Sequence, residues 1–193
     1  MLSGMEEAKP RTPAPGRLGL LQEFVNTVDL PDGDDALATA AAATRWLTDH
    51  RTVLTHPLTE KERKRLVDIR EDLRTVLMAH AGAHVGSDVT ASLTRQLNGA
   101  ALRPVISERG ASLVGASTGV PALLSSLAAA IVEATVAGTW QRLKVCRDDT
   151  CRWAFYDASK NGRGAWCSMR SCGSRHKART YRQRRRELLS SSV

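Results

Sequence analysis

Residues 146–186 read CRDDTCRWAFYDASKNGRGAWCSMRSCGSRHKARTYRQRRR, a stretch that holds every cysteine of the 193-residue chain and then its densest run of arginine. Four residues separate Cys146 from Cys151, four separate Cys167 from Cys172, and fifteen lie between the two pairs. Two close cysteine pairs joined by a loop are typical of a tetrahedral site for one structural Zn²⁺. The spacing within each pair is wider than in common zinc ribbons. Buried free thiols, disulfides and an iron–sulfur cluster therefore stay as alternatives.

The predicted zinc site is structural rather than catalytic. Four cysteine ligands close the coordination shell and leave no open position for water or substrate. The first 140 residues show no nucleophile–base pair, phosphate-binding loop or metal motif, so we do not predict an enzyme. His176 is an alternative metal ligand, but we expect a surface or phosphate-facing side chain.

A basic helix is predicted after Cys172. Residues 141–193 hold 14 Lys/Arg and 4 Asp/Glu, whereas residues 1–140 hold 14 Lys/Arg and 16 Asp/Glu. No acidic residue lies between Asp157 and Glu187. Such a face repels itself unless a polyanion supplies the counter-charge, and arginine suits phosphate and guanine. The predicted nucleic-acid-binding residues are Arg175, His176, Lys177, Arg179, Arg182, Arg184, Arg185 and Arg186.

The rest of the chain predicts a helical domain. Apolar periodicity indicates helices near 18–28, 36–50, 59–80, 88–98 and 121–139, and a β-hairpin over 102–116. Thr59 and Glu62 fit a capping box at the start of the third helix. Residues 120–140 are nearly apolar enough to span a membrane, but Ser125, Ser126 and Glu133 interrupt the run, so we expect a buried helix and no membrane partner. The predicted fold class is mainly α with minor β. Its predicted divisions are a disordered lead-in (1–16), a helical domain (17–140) and a zinc module (141–193).

Two blocks of the chain resemble a known protein family. WCSMRSCGSRHKARTYRQRRR (166–186) and CRDDTCRWAFYDASKNGR (146–163) resemble bacterial CGNR zinc fingers, whose second cysteine pair ends in Cys-Gly-Asn-Arg before a basic helix. Arg175 is retained, while Ser174 stands where the family has asparagine. LGLLQEFVNTVD (18–29) is similar to the ABATE domain that usually precedes this finger. The resemblance implies a stress-induced transcription regulator whose finger binds DNA and whose N-terminal domain senses a signal or mediates assembly.

Other interpretations stay open at this stage. The basic helix would suit RNA equally well, with Trp153, Phe155 or Tyr156 stacking on bases, or the module could bind a protein partner. A homodimer and a small-molecule effector in the N-terminal domain are further predicted partners; Asn26, Thr27 and Asp29 could line an effector pocket but more often serve as helix caps. The start of the chain lacks the pattern of a signal peptide, and reduced thiols suit the cytoplasm, where we expect the protein.

Overall fold

The computed structural model describes residues 13–190, and within this range helices predominate over short strands. The helices are α1 (Leu18–Val25), α2 (Ala40–Asp49), α3 (Glu60–His80), α4 (Ser87–Leu97), α5 (Gly119–Val136) and α6 (Ser174–Ser190). The antiparallel pairs are β1 (Val28–Asp29) with β2 (Asp34–Asp35), β3 (Arg103–Ser107) with β4 (Gly110–Val114), and β5 (Leu143–Val145) with β6 (Ala154–Tyr156). The predicted fold class, mainly α with minor β, is confirmed.

Helix α3 is the central element of the core. Its start is fixed by the predicted capping box, in which Thr59 Oγ1 accepts from the Glu62 N–H and Glu62 Oε2 accepts from the Thr59 N–H. This exchange satisfies two amides that the first helical turn leaves without a partner. One face of the helix is then fully buried through Leu66, Ile69, Leu73 and Leu77, and the elements packed against the helix include α1, α4 and β5.

Helix α5 is long and apolar enough to cross a membrane by length and composition alone. Leu123, Leu124 and Leu127 nevertheless lie in the same core as α1 and α3, with at most 1% of each residue exposed. Core helices of soluble proteins commonly combine this length and composition, so this one helix is weak evidence for a membrane span.

Hairpin β5–β6 packs into the core of the helical part. Leu143, Val145 and Ala154 are at most 1% exposed and belong to the same apolar cluster as α1 and α3. Asn26, just after α1, accepts from the Ala154 N–H at 2.7 Å and donates to the Ala154 carbonyl at 2.9 Å. Its side-chain amide thus completes the hydrogen bonding of β6 as a neighbouring strand would, while its backbone N–H donates to the Gln22 carbonyl and caps the end of α1.

The beginning of the chain is only partly described. Residues 1–12 of the predicted lead-in lie outside the described residues. Of the remaining four, Ala14 is 7% exposed, and its N–H donates to Gln22 Oε1 at 2.7 Å. Ala14 is therefore part of the packed structure.

Candidate metal centre and basic helix

The four cysteines converge as the sequence predicts. One ligand atom from each lies within 4.8 Å of the others, and three of the four residues are buried. Sγ of Cys167 is 3.6 Å from Sγ of Cys151 and 3.7 Å from Sγ of Cys172. A regular tetrahedron of sulfurs about 2.3 Å from Zn²⁺ has edges of about 3.8 Å. The cluster therefore has the size and the donor chemistry of one structural Zn²⁺ site.

The two cysteine pairs are held by different backbone structures. Cys146 directly follows β5, and the Cys146–Cys151 loop turns back into β6 through Arg152, whose φ is 45°. Cys172 lies in a π-type turn, Met169–Gly173, that continues into α6. The metal site thus joins a hairpin that is anchored in the core to the first residues of the basic helix.

A buried ion pair shapes the loop between the cysteine pairs. Lys144 Nζ is 2.8 Å from Asp157 Oδ2, and the two side chains are 6% and 3% exposed. Asp157 also accepts from the Ser159 and Gly164 N–H groups at 3.1 and 2.6 Å. Burial opposes ionisation, but hydrogen bonds led by the one from Lys144 outweigh it and lower the pKa of Asp157 to about 2. The pair ties the loop to β5 and so positions the second cysteine pair.

The cysteine cluster favours a negative charge. Hydrogen bonds from the Cys151 and Cys167 thiols lower the pKa of Cys146 to about 4. The pKa of Cys167 is raised, because its thiol hydrogen-bonds Cys146 and a second thiolate there would be repelled by the charge of Cys146. The environment thus stabilises one thiolate, and a divalent cation would supply the charge that further thiolates require.

Asp148 connects the metal loop to α6. Its side chain is fully buried, and its Oδ2 accepts from Arg175 Nε at 3.1 Å while its Oδ1 accepts from Arg179 Nη2 at 2.9 Å. Oδ1 also accepts from Thr150 Oγ1. Burial opposes ionisation of Asp148, yet the bonds from Arg179 and Thr150 keep its pKa below the ordinary value. Arg175 Nη2 also donates to Cys172 Sγ at 3.1 Å, so this arginine contacts the metal cluster directly.

The predicted nucleic-acid-binding residues fall into two groups. Arg175 and Arg179 form the contacts with Asp148, and His176 packs against Trp166 with ring centroids 4.7 Å apart. His176 is not part of the sulfur cluster within the described residues. The second group is exposed on α6: Lys177, Arg182, Arg184, Arg185 and Arg186. Contact of either group with nucleic acid stays a prediction.

Sequence reasoning did not single out Asp148, Lys144, Asp157 or Arg74 as supports of the site. Arg74 is 3% exposed and donates to the Arg152 carbonyl at 2.7 Å and to the Val25 carbonyl, so it ties the first cysteine loop to α1. The available signal was the acidic pair within CRDDTC, an unusual composition inside the basic region. The sequence does not distinguish which of the two aspartates is buried.

Two family models match the chain, in the order that the resemblance implies. The model described as "CGNR zinc finger" matches residues 142–185. The ABATE model, described as "Putative stress-induced transcription regulator", matches residues 18–138, which is more than half of the chain. The chain belongs to the ABATE family and carries a CGNR zinc finger. Comparison with curated proteins gives no match.

The family assignment agrees with the sulfur geometry. In this CGNR finger the four cysteines within metal-binding distance fit one structural Zn²⁺. Ser174, which replaces the family asparagine, donates from Oγ to the Met169 carbonyl at 3.1 Å. The shorter side chain thus bonds the turn that carries Cys172. Arg175, the last residue of the CGNR signature, bonds both Cys172 and Asp148.

Proposed function

We propose that this ABATE–CGNR protein regulates transcription by binding duplex DNA through α6. The observation that carries the proposal is the clamp formed by Asp148, which fixes the start of α6 against the zinc-binding loop. Zinc binding would thereby hold a cationic helix in one orientation before it meets DNA. Preorganisation of this kind lowers the entropy that is lost on binding.

The dimensions and charge of α6 support the major groove as its site. Helix α6 has 17 residues, which corresponds to a length of about 26 Å. The major groove of B-DNA is about 12 Å wide and admits one helix. Lys177, Arg184 and Arg185 are exposed along this helix and can reach phosphates or base edges.

The arginines that Asp148 holds still have donors to offer. A guanidinium has five N–H donors; the contacts with Asp148 and Cys172 use two of those of Arg175, and the contact with Asp148 uses one of those of Arg179. The two side chains are 47% and 51% exposed. We therefore assign them a mixed role, in which one part of each guanidinium orients the helix and the remainder binds phosphate.

The closed Cys₄ shell supports a binding role rather than catalysis. Thiolate ligands require a reducing compartment, so we place the protein in the cytoplasm as part of this proposal. Duplex DNA is favoured over stacked single-stranded RNA because Phe155 is 6% exposed, while Trp153 packs against the cysteine cluster and Tyr156 against the apolar core, both partly buried.

The direct test is selection from a random duplex DNA pool with the zinc-loaded protein, followed by titration of the enriched duplex at several salt concentrations. About six phosphate contacts predict a log–log salt slope near −5. The triple variant Arg184→Gln, Arg185→Gln, Arg186→Gln should make the log–log salt slope of DNA affinity less steep by about 3.

A charge-matched control is available in the ABATE domain, where Arg45, Arg51 and Lys61 are exposed. Replacing these three by glutamine should leave the slope unchanged. Equal effects of the two triple variants would contradict the assignment of α6. If structured RNA competes better than duplex DNA for the protein, RNA becomes the proposed partner. If the protein retains DNA without enriching a sequence motif, it binds nucleic acid non-specifically.

A further inference from the structure

A cavity lies where the end of α3 meets the first cysteine loop. Its volume is about 290 Å³, near the lower end of the range for small-molecule sites. Helix α3 and the turn after it supply one wall, and β5 with the cysteine loop supplies the other. The lining residues are Met78, Ala81, Gly82, Ala83, Val145, Cys146, Arg147, Asp149 and Arg152.

Arg152 lines this cavity with a side chain that is 42% exposed. Its Nε is buried beneath the rest of the guanidinium and makes no hydrogen bond within the described residues. Buried donors in native proteins nearly always have a protein, water or ligand partner. The Asp149 carboxylate, 3.5 Å from Arg152 Nη2, is 83% exposed and reaches only the outer part of the guanidinium.

The backbone holds Arg152 in this position. Its φ of 45° lies in the left-handed region, which costs a non-glycine residue free energy. The Arg152 carbonyl accepts from buried Arg74 Nη1 at 2.7 Å, and its N–H donates to the Asp148 carbonyl at 3.0 Å. The unusual conformation is therefore fixed from both sides and directs the side chain to the cavity wall.

Arg147 supplies a second positive charge to the cavity. Its Nε donates to the Ala81 carbonyl at 2.6 Å. A Cβ added to Gly82, whose φ is 92°, would lie 2.9 Å from Arg147 Nη2, so glycine allows this close approach. Because the Nε of Arg147 is already paired, the free inner donor belongs to Arg152.

We propose that this cavity binds a small organic carboxylate with a compact apolar body. The carboxylate would accept from the Arg152 guanidinium in a charge-assisted hydrogen bond, and the body would contact Met78, Ala81 and Val145. A phosphate dianion fits less well, because it has no apolar body to contact Met78, Ala81 and Val145 and would lose part of its hydration against them. The cavity shares Cys146 with the metal centre, so the ligand would contact the zinc-binding loop directly.

This inference does not require DNA binding; only an effect of the ligand on α6 would rest on the proposed function. The test uses the zinc-loaded full chain without DNA. Benzoate, phenylacetate and hexanoate are titrated into the protein by calorimetry. The controls are benzamide, the neutral analogue of benzoate, and inorganic phosphate, an anion without an apolar group. We expect saturable carboxylate binding at least tenfold tighter than benzamide or phosphate.

The matched variants are Arg152→Gln and Arg51→Gln, because Arg51 is an exposed arginine with a similar left-handed φ of 58°. Arg152→Gln should weaken binding at least tenfold and Arg51→Gln should not change it. If Arg152→Gln loses zinc, the site is located instead from amide chemical shifts of the unmodified protein during the carboxylate titration. The largest shift changes are expected at residues 81–83 and 145–147. The proposal is overturned if no carboxylate shows saturable binding, if benzamide or phosphate binds equally well, or if the chemical shifts change at residues away from the cavity.

Discussion

Replacement of Asp148 by asparagine tests whether this one carboxylate fixes the start of the basic helix α6. The variant keeps the Oδ1 oxygen that faces Arg179 and Thr150, but it puts an NH₂ group opposite Arg175 Nε, where two donors then meet. Both remaining contacts also lose their ionic character. A hydrogen bond to a charged group contributes about 1.5–3 kcal/mol. Because the arginine side chains are 47% and 51% exposed, solvent screening reduces the combined loss to about 2 kcal/mol.

This loss should appear in the zinc affinity. Metal binding and folding of the finger are coupled, so about 2 kcal/mol corresponds to an apparent zinc affinity about 30-fold weaker. A competition titration with a zinc chelator measures this change. Amide hydrogen exchange should also become faster in the first two turns of α6.

The adjacent Asp149 provides the control, because its side chain is 83% exposed and its partner Arg152 is 3.5 Å away. Asp149→Asn makes the same chemical change one residue along and should cost no more than about 0.5 kcal/mol. Equal zinc affinities and equal exchange rates for the two variants would refute the reasoning, since the buried carboxylate would then contribute no more than the exposed one.

Three further changes test the supports of the site. Cys167→Ser should reduce the zinc content from one per chain to near zero, as measured by elemental analysis; retention of one zinc would exclude Cys167 as a ligand. With a folded-state pKa of about 2, Asp157 stabilises the protein above about pH 4, and this contribution of about 2 kcal/mol is lost as the pH falls through 2. The ¹³C shift of its carboxyl should therefore stay constant from pH 5 to 4, and a midpoint near 4 would disprove the buried pair with Lys144. Asn26→Ala leaves the buried Ala154 N–H without its partner and should lower the free energy of unfolding by about 3 kcal/mol, whereas Asn161→Ala, in an exposed loop, should change it by less than about 0.5. Similar denaturation midpoints for these two asparagine variants would argue against a bridging amide.

The sequence predicted those features that local chemistry determines. The cysteine spacing indicated a tetrahedral metal site, and the Thr59–Glu62 box indicated the start of α3, because each pattern uses residues close together in the chain. Apolar periodicity likewise located α5, and its interruption by polar residues indicated a buried helix.

The features that were not predicted depend on contacts between distant residues. Strands β5 and β6 have three residues each, too few for an alternating pattern to be recognised. Asp148 and Asp149 are identical neighbours in sequence, and only the packing of α6 against the loop buries one and exposes the other. Asn26 is a similar case, since its role depends on Ala154, 128 residues further along the chain.

The packing of β5 and β6 on α1 and α3 limits how freely this finger can be exchanged between proteins. A segment cut at residue 140 and joined to another protein would carry Leu143, Val145 and Ala154 with their apolar surfaces uncovered. It would also separate Ala154 from Asn26 and Arg152 from Arg74. A finger transferred without its ABATE domain would therefore be less stable than one that keeps it, and a functional transplant would have to include both.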